Sequence, residues 1–254
     1  MRLLTIFLSY LLLLIGHTSY AQQVEYAVVV SANMEWKAVK KAYPNEQYQS
    51  SVWGEFFYKE IAQQKVLFFH EGWGKVAAAG ATQYVIDTYE PRVLINLGTC
   101  GGFEGKVDRL DIILADRTII YDIKEAMGDS KEAIDDYTTS IDLSWLGDNY
   151  PTKVLKTTLV SADKDLAIDE IEKLQNEYKA VAGDWETGAI AYVAGRNKTK
   201  VVILRGVSDL VNKQEGEAYG NFDLFIERAE KVMFKLLEIL PQWITHMEQL
   251  SEND

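Results

Sequence analysis

The sequence predicts an α/β protein: a single domain of three layers, with helices on both faces of a central mixed, twisted sheet. Three observations predict this class. Apolar runs of strand length alternate with segments of helical periodicity along most of the chain. A composition of 48% hydrophobic and 25% charged residues is that of a soluble globular protein with a sizeable core. No repeat, low-complexity tract or Pro/Gly-rich linker divides the 254 residues, which suit one domain of ordinary size.

The N-terminal segment differs from the rest of the chain. After a short basic start, residues 3–15 are almost entirely apolar, and small residues follow up to Ala21. This is the layout of a secretory signal. The apolar run is shorter than the roughly 20 residues that span a bilayer, although an uncleaved anchor is the alternative. We therefore expect a signal peptide at 1–21, a domain at 22–254, and an exported protein, periplasmic or secreted, without a stable membrane anchor.

The charge of the chain limits its partners. Removing the signal takes away Arg2 and no acid, so the formal net charge moves from −12 to −13. An acidic surface repels phosphate backbones and argues against nucleic acid as a partner, but a neutral small molecule remains compatible. The one cysteine, Cys100, cannot form an internal disulfide. The three histidines show no metal-ligand spacing, so no metal or cofactor is expected.

Strand and helix signals alternate through the first half of the chain. The segment after Met34 has helical periodicity, and the alanine-rich segment 75–89 has a strong intrinsic preference for helix. Alternating or wholly apolar runs predict strands at residues 24–31, 51–58, 66–70 and 92–97. Two glycine-rich loops, 72–74 and 98–102, follow the last two of these strands.

The second half continues the alternation. Apolar runs predict strands at residues 111–115, 117–122, 154–161 and 200–206. The polar segment 124–150 predicts surface loops with a short helix, and periodicity predicts helices at 166–178, 186–194 and 222–239. Ligands of layered α/β sheets bind at the carboxyl ends of the strands, so polar residues at those ends are the functional candidates.

The first candidate is Asp209, which an apolar strand delivers together with Ser208 to its carboxyl end. A carboxyl group held protonated by a partly apolar pocket acts as a general acid. A Ser-Asp pair also commonly caps a helix or turn. Spacing alone leaves both interpretations open.

The second candidate is Glu186, an acid among the small and apolar residues of segment 183–189. A carboxylate in such surroundings is costly unless it is paired or binds a ligand. It can accept hydrogen bonds from two adjacent ribose hydroxyls, which makes Glu186 a candidate sugar clamp. An acid favoured by the dipole at a helix N-terminus is the alternative.

The two glycine loops are weaker signals. Each follows a strand and lets backbone N–H groups, such as that of Gly74, approach an anion or a sugar. Tight turns use glycine for plain steric reasons as well, and neither loop matches a P-loop or a dinucleotide fingerprint. Cys100 has no histidine placed to activate it, so we expect a small packed residue there.

Taken in order, these segments resemble the nucleoside phosphorylase and nucleosidase family, and most closely its branch of 5′-methylthioadenosine/S-adenosylhomocysteine nucleosidases. The resemblance covers residues 28–231. Asp184-Trp185-Glu186 is similar to the family's Glu-Met-Glu, and the last strand, ending at Asp209, is similar to its Arg-Ala-Ile-Ser-Asp. The other matching segments are residues 30–35, 72–79, 96–102 and 221–225.

The resemblance implies roles for individual residues. Asp209 would protonate or hydrogen-bond N7 of a purine, and Glu186 would bind the 2′ and 3′ hydroxyls of its ribose. Trp185 would line the ribose and base pocket, Thr99 would support the acid and the sugar, and Phe222 would cover the 5′ side. The implied chemistry is a dissociative cleavage of the N-glycosidic bond, which gains most from charge placement and leaving-group protonation.

The helix that begins at Met34 departs from the family. The nucleosidase turn reads Met-Glu-Glu-Glu, its third acid activates the attacking water, and Lys37 aligns with that acid. Three interpretations follow: Glu35 does the job from a shifted position, another acid such as Glu71 substitutes, or Lys37 holds phosphate as the nucleophile. The phosphorylase branch uses a basic residue in this turn, but Asn96 replaces its second phosphate-binding arginine.

The base-binding segment also departs from the family. Residues 161–166 resemble Ser-Gly-Asp-Ala-Phe-Ile, which contacts adenine through its backbone and a stacking phenylalanine. Leu166 falls in this segment as a substrate-binding residue, whereas Asp165 replaces the aromatic residue, so a preference for adenine is not implied.

The expected function is hydrolysis of a purine nucleoside such as 5′-methylthioadenosine or S-adenosylhomocysteine. The alternatives are a purine nucleoside phosphorylase that uses phosphate and a non-catalytic exported nucleoside-binding protein. The resemblance also implies a homodimer.

Overall fold

A computed structural model describes residues 23–251 of the chain. The strands are β1 Tyr26–Val30, β2 Gln49–Ser50, β3 Glu55–Ile61, β4 Gln64–His70, β5 Val93–Phe103, β6 Ile112–Ile120, β7 Thr138–Ser140, β8 Leu155–Ser161, β9 Ala182–Asp184 and β10 Lys200–Val211. The helices are α1 Asn33–Ala42, α2 Lys75–Tyr89, α3 Lys131–Asp136, α4 Ile171–Glu177, α5 Thr187–Asn197 and α6 Phe222–Ser251. The predicted signal segment lies outside the described residues.

The described strands form one mixed sheet. Strands β4, β1, β5 and β10 run parallel to one another, so their carboxyl ends lie at the same edge. Strands β6, β8 and β9 form a second parallel group, which joins the first through antiparallel pairs with β10 and β5. Because β5 also pairs with β10, a closed ring forms from five strands in the order β10, β6, β8, β9 and β5.

Helices cover both faces of the sheet, which confirms the predicted three-layer α/β/α class. Strand β1 is buried on both faces, as its continuous apolar sequence predicts. Val28 packs in a cluster with the apolar residues of α1 and α6, whereas its neighbour Val29 packs with those of α2 and α5. No described helix is long and apolar enough to cross a membrane.

Several predicted element boundaries are corrected by the sheet. Strand β5 continues through the predicted glycine loop 98–102, because β9 and β10 pair with it there. The strands predicted on either side of Asp116 are one strand, β6, with a register shift at that position. The helix predicted at 166–178 is shortened to α4, the short strand β9 was missed, and the last helix extends to Ser251. These boundaries depend on distant pairing partners rather than on local pattern.

Candidate active site

Acidic side chains from separate parts of the chain meet at the carboxyl edge of the sheet. Helix α1, which follows β1, carries Glu35, and Glu71 follows β4 directly. Asp184 ends β9, Glu186 lies just beyond it, and Asp209 lies near the end of β10. All five are at least nine-tenths buried. The parallel order of the strands therefore brings together candidates that are up to 174 positions apart in the sequence.

The centre of this arrangement is Arg205, whose fully buried guanidinium lies among three carboxylates. Its nitrogens lie 3.3 Å from Asp184, 3.7 Å from Glu186 and 3.8 Å from Glu35. Gly98 makes room for it, since a Cβ at Gly98 would lie 2.2 Å from Nη1. The sequence motif included Arg205, but no role was predicted for it. The signal was an arginine inside an apolar strand, which is costly unless acids pair with it.

Asn96 and Thr99 on β5 also hold Arg205. Its Nε donates to Asn96 Oδ1 over 3.1 Å, and its Nη1 donates to the Thr99 carbonyl oxygen over 3.1 Å. The Asn96 amide nitrogen donates to the Val29 carbonyl oxygen. Both polar ends of Asn96 are therefore occupied by the protein.

Glu35 is oriented by hydrogen bonds from Thr99. The Thr99 amide and hydroxyl donate to Glu35 Oε1 over 2.6 and 2.8 Å, and the Ala32 amide donates to Oε2 over 3.3 Å. Burial raises the pKa of Glu35, while Arg205 and these donors oppose the rise. Glu35 is therefore a buried, well-oriented carboxyl group beside a fixed positive charge.

Glu186 contacts the first glycine loop, residues 72–74, which is called the glycine loop from here on. Its Oε1 accepts a hydrogen bond from the Gly74 amide over 3.1 Å, at a position where Gly74 has a φ of 85°. Burial raises the pKa of Glu186 to about 8, against the opposing effect of Arg205. The predicted sugar clamp and the predicted loop amide are thus in direct contact.

Two buried polar atoms beside Glu186 have no hydrogen-bond partner among the described residues. One is Asp184 Oδ2 and the other is Arg205 Nη2. The other oxygen of Asp184 accepts from the hydroxyls of Ser161 and Thr187, each over 2.8 Å. Ion pairs compensate these two atoms in part, because Asp184 Oδ2 lies 3.3 Å from Arg205 Nε and Arg205 Nη2 lies 3.7 Å from Glu186 Oε2.

Asp209 lies on β10, across β5 from β9 and Glu186. It pairs with Gly101, which in turn pairs with Gly183 on β9. Since neighbouring strands lie about 4.8 Å apart, the backbones at Asp209 and Gly183 are about 10 Å apart. Asp209 Oδ1 accepts from the Ser208 hydroxyl over 2.6 Å, and burial raises the pKa of Asp209. Both strongest sequence candidates therefore lie at one edge, on either side of β5.

Leu166 and Trp185 also reach this edge. Leu166 packs against Gly101 and Gly183, where an added Cβ would lie 3.0 and 2.7 Å from its methyl groups. The half-buried Trp185 ring contacts Trp73, with ring centroids 5.2 Å apart. A larger residue at either glycine would therefore require the Leu166 side chain to shift.

Phe222 is not brought to the acid cluster by any contact that the structure shows. It is 62% exposed at the start of α6, and its ring stacks on Phe225 one turn later. The predicted cover over the 5′ side is thus not formed by packing within the described chain.

Lys37 does not join the acid cluster. Its side chain is exposed, and its Nζ lies 3.7 Å from Met34 Sδ on the same helix. Two residues along a helix correspond to a rotation of about 200°, so Lys37 faces away from the buried side that carries Glu35. The prediction of Lys37 as a phosphate or water site is not supported by this placement.

Two other sequence candidates are occupied or inert. Glu71 accepts from the Thr82 hydroxyl over 2.6 Å and from the Ser31 hydroxyl over 3.2 Å, so both of its oxygens are bonded within the protein. Burial raises the pKa of Glu71 to about 8. Burial also raises the pKa of Cys100 well above its usual value, which keeps the thiol protonated, as expected for a packed residue.

Proteins of similar sequence are nucleosidases. The chain is 25% identical to 5′-methylthioadenosine/S-adenosylhomocysteine nucleosidase of Bacillus subtilis over 217 residues, which are 80% of this chain and 92% of that protein. It is 27% identical to the nucleosidase of the same name from Buchnera aphidicola over 186 residues, which are 69% of this chain and 79% of that one.

Solved structures of nucleosidases share the fold. The nucleosidase of Streptococcus pneumoniae, bound to a transition-state inhibitor, has a TM-score of 0.70 at 20% identity, over 86% of this chain and 99% of that one. The Helicobacter pylori enzyme has a TM-score of 0.69 at 15% identity, over 91% and 99%. The family model of the phosphorylase superfamily matches residues 25–240. The chain therefore belongs to the phosphorylase superfamily, as its sequence motifs indicate.

Proposed function

We propose that this chain is a purine nucleosidase, which hydrolyses the N-glycosidic bond of a purine nucleoside. The observation that carries the proposal is the placement of two buried acids at one sheet edge. Glu35 lies beside Arg205 and accepts from the Thr99 amide of β5, and Asp209 on β10 pairs with Gly101, two residues further along β5. Cleavage needs one group that protonates the departing base and one that activates water. The names of the related proteins support the same reaction.

Each acid has a distinct part in the proposed reaction. Asp209 donates its proton to N7 as the bond from C1′ to N9 breaks, and the electron pair leaves with the purine. The oxygen of a water molecule bonds to C1′, and Glu35 accepts the proton that this water loses. Glu186 accepts hydrogen bonds from the ribose hydroxyls, and the surrounding acids stabilise the positive charge that develops on the sugar.

The charge of the site favours water over phosphate as the nucleophile. Three buried acids, Glu35, Asp184 and Glu186, lie 3.8, 3.3 and 3.7 Å from the nitrogens of Arg205. Because these carboxyl groups already pair with Arg205, its guanidinium is not free to hold a phosphate anion. Glu35 occupies the position beside Arg205, which supports the first of the three interpretations of this helix.

The proposal is tested by release of free base from 5′-methylthioadenosine, S-adenosylhomocysteine, adenosine and inosine. We expect release without phosphate, and ribose rather than ribose 1-phosphate as the sugar product from inosine or adenosine. Release that requires phosphate would instead identify a phosphorylase. Tight binding of all four compounds without turnover would identify a binding protein.

From the exposed position of Lys37 we predict that this residue has little effect on activity. Lys37→Met is expected to change kcat/KM less than about threefold, since surface substitutions away from special features have small effects. Added phosphate is expected to leave the rate of either protein unaltered. A large loss of activity in Lys37→Met, measured by the same base-release assay, would show that this lysine serves the nucleophile.

We propose that the protein is a homodimer. Exposed apolar side chains support this: Trp53 lies over Gly80 on α2, and Val76 one turn earlier is 81% exposed. Contiguous exposed apolar surface of this kind marks interaction sites. Sedimentation velocity measures the state directly, and a monomer at micromolar concentration would contradict the proposal.

We propose that the protein is exported and cleaved after Ala21. The support is the sequence layout of the first 21 residues. N-terminal sequencing of the protein from a cell envelope fraction tests this, and an intact Met1 in that fraction would contradict it.

A further inference from the structure

The glycine loop is held from outside by three charged residues. Lys75 begins α2, and its Nζ contacts Asp122 Oδ1 and lies 3.8 Å from Asp163 Oδ2. The Asp163 amide donates to Asp122 Oδ2 over 3.0 Å. Asp122 follows β6 and Asp163 follows β8, so these contacts join the start of α2 to the second parallel group of strands.

Asp163 also supplies the N-terminal cap that α2 lacks. The capping position is Gly74, which has no side chain to accept a hydrogen bond. Asp163 Oδ1 instead accepts from the Lys75 amide over 2.8 Å. A carboxylate is well suited to this place, because the N-terminus of a helix carries a partial positive charge and unpaired amides.

The amide that precedes Lys75 in this turn, that of Gly74, contacts the candidate active site. Gly74 N–H donates to Glu186 Oε1 over 3.1 Å. Gly74 lies close to Asp163, since an added Cβ would lie 3.1 Å from Asp163 Oδ1. The two adjacent amides at the start of α2 thus bond two acids from other loops, and the position of one bond fixes the position of the other.

We propose that Asp163, together with Lys75 and Asp122, is a positioning residue that aims the Gly74 amide at Glu186 and thereby prepares Glu186 to bind the ribose hydroxyls. The proposal rests on the nucleosidase function proposed above. In this scheme the side chains of these three residues touch neither the sugar nor the base, although Asp163 lies in the segment 161–166 whose backbone the resemblance places at the base. They act through the glycine loop 72–74, because Asp163 bonds the Lys75 amide directly after Gly74.

The charged groups around Glu186 determine how loss of its contact with the Gly74 amide changes the pKa of Glu186. Arg205 on β10 favours the ionised form of Glu186, whereas Glu35 on α1 and Asp184 on β9 disfavour it. The Gly74 amide adds to the effect of Arg205 and lowers the pKa of Glu186. Displacing the loop therefore raises that pKa, so that the ionised, hydroxyl-accepting form appears only at higher pH.

The test compares Asp163→Ala with the wild-type protein and with Asp135→Ala. Asp135 is the matched control, because it pairs with Lys131 on the exposed surface of α3. We expect KM for the nucleoside to rise about tenfold in Asp163→Ala, the typical effect of losing one hydrogen bond to a charged group. The limb on which kcat/KM rises with pH should move to higher pH. Asp163→Asn keeps an oxygen for the Lys75 amide and should restore much of the wild-type KM.

A second measurement needs no turnover. The side-chain carboxyl resonance of Glu186 in ¹³C-glutamate-labelled protein, assigned with Glu186→Gln, should titrate at higher pH in Asp163→Ala than in the wild type. Unchanged titration, or wild-type KM and pH profile in a folded Asp163→Ala protein, would overturn the positioning role. If the wild type releases no base while the resonance shifts as expected, the proposed function fails and the positioning role stands.

Discussion

Replacing Glu35 by glutamine is expected to lower kcat by about 10² to 10⁴-fold, the usual contribution of a general base. The amide keeps the size of the side chain and can still accept from the Thr99 amide and hydroxyl. It cannot take a proton from water. Substrate binding should therefore survive, which equilibrium dialysis with the nucleoside measures, while single-turnover base release measures the loss.

Glu71→Gln is the matched control for this experiment. Glu71 is also a buried acid at the same sheet edge, but the Ser31 and Thr82 hydroxyls occupy its oxygens. We expect less than about a tenfold fall in kcat, because the substitution only perturbs packing and charge near Arg205. A Glu71→Gln loss as large as that of Glu35→Gln would mean that Glu71 is the base. Wild-type turnover in Glu35→Gln would remove Glu35 from the mechanism.

Asp209→Asn is the second substitution with a large expected effect, a fall in kcat of about 10² to 10⁴-fold. Asparagine can still accept from the Ser208 hydroxyl, so the fold should be retained, which thermal unfolding monitors. It cannot deliver a proton to the purine. The loss should be smaller for a nucleoside analogue whose leaving group needs no protonation, such as a nitrophenyl riboside. Equal losses on both substrates would contradict the role of proton donor.

The pH profile gives an independent check on Asp209. Burial raises the pKa of Asp209, so its protonated, active form persists to higher pH than that of an ordinary aspartic acid. Activity should fall as pH rises through this pKa. Asp165 also raises the pKa of Asp209, so Asp165→Asn should move that fall to lower pH. Asp209→Asn should abolish this limb altogether.

The sequence located the main acids because each is marked by local contrast. Asp209 ends an apolar run, and Glu186 stands among small and apolar residues, so burial could be inferred without a partner in view. The alanine-rich helix α2 has the predicted bounds, Lys75–Tyr89, because its composition alone favours helix and glycine precedes it. Signals of this kind depend only on neighbours in the chain.

The roles of Arg205 and Lys37 required the tertiary structure. Each residue along a helix adds a rotation of about 100°, so a shift of one or two positions in the alignment changes which side chain faces the site. The motif alone therefore could not show which residue of α1 faces the site. Packing of α1 turned Glu35 inward and left Lys37 exposed. Arg205 meets its acids only because β5, β9 and β10 are neighbours in the sheet.

The sequence by itself thus determined the α/β class, the order of its elements and the two acids at the ends of β9 and β10. The tertiary structure decided which side chains share the site, how far β5 and β10 extend, and how the glycine loop is held. The physical reason is the distance along the chain over which each effect acts. Hydrophobic periodicity and capping depend on a few neighbouring residues, whereas strand register and helix rotation are set by packing between segments that are distant in the sequence.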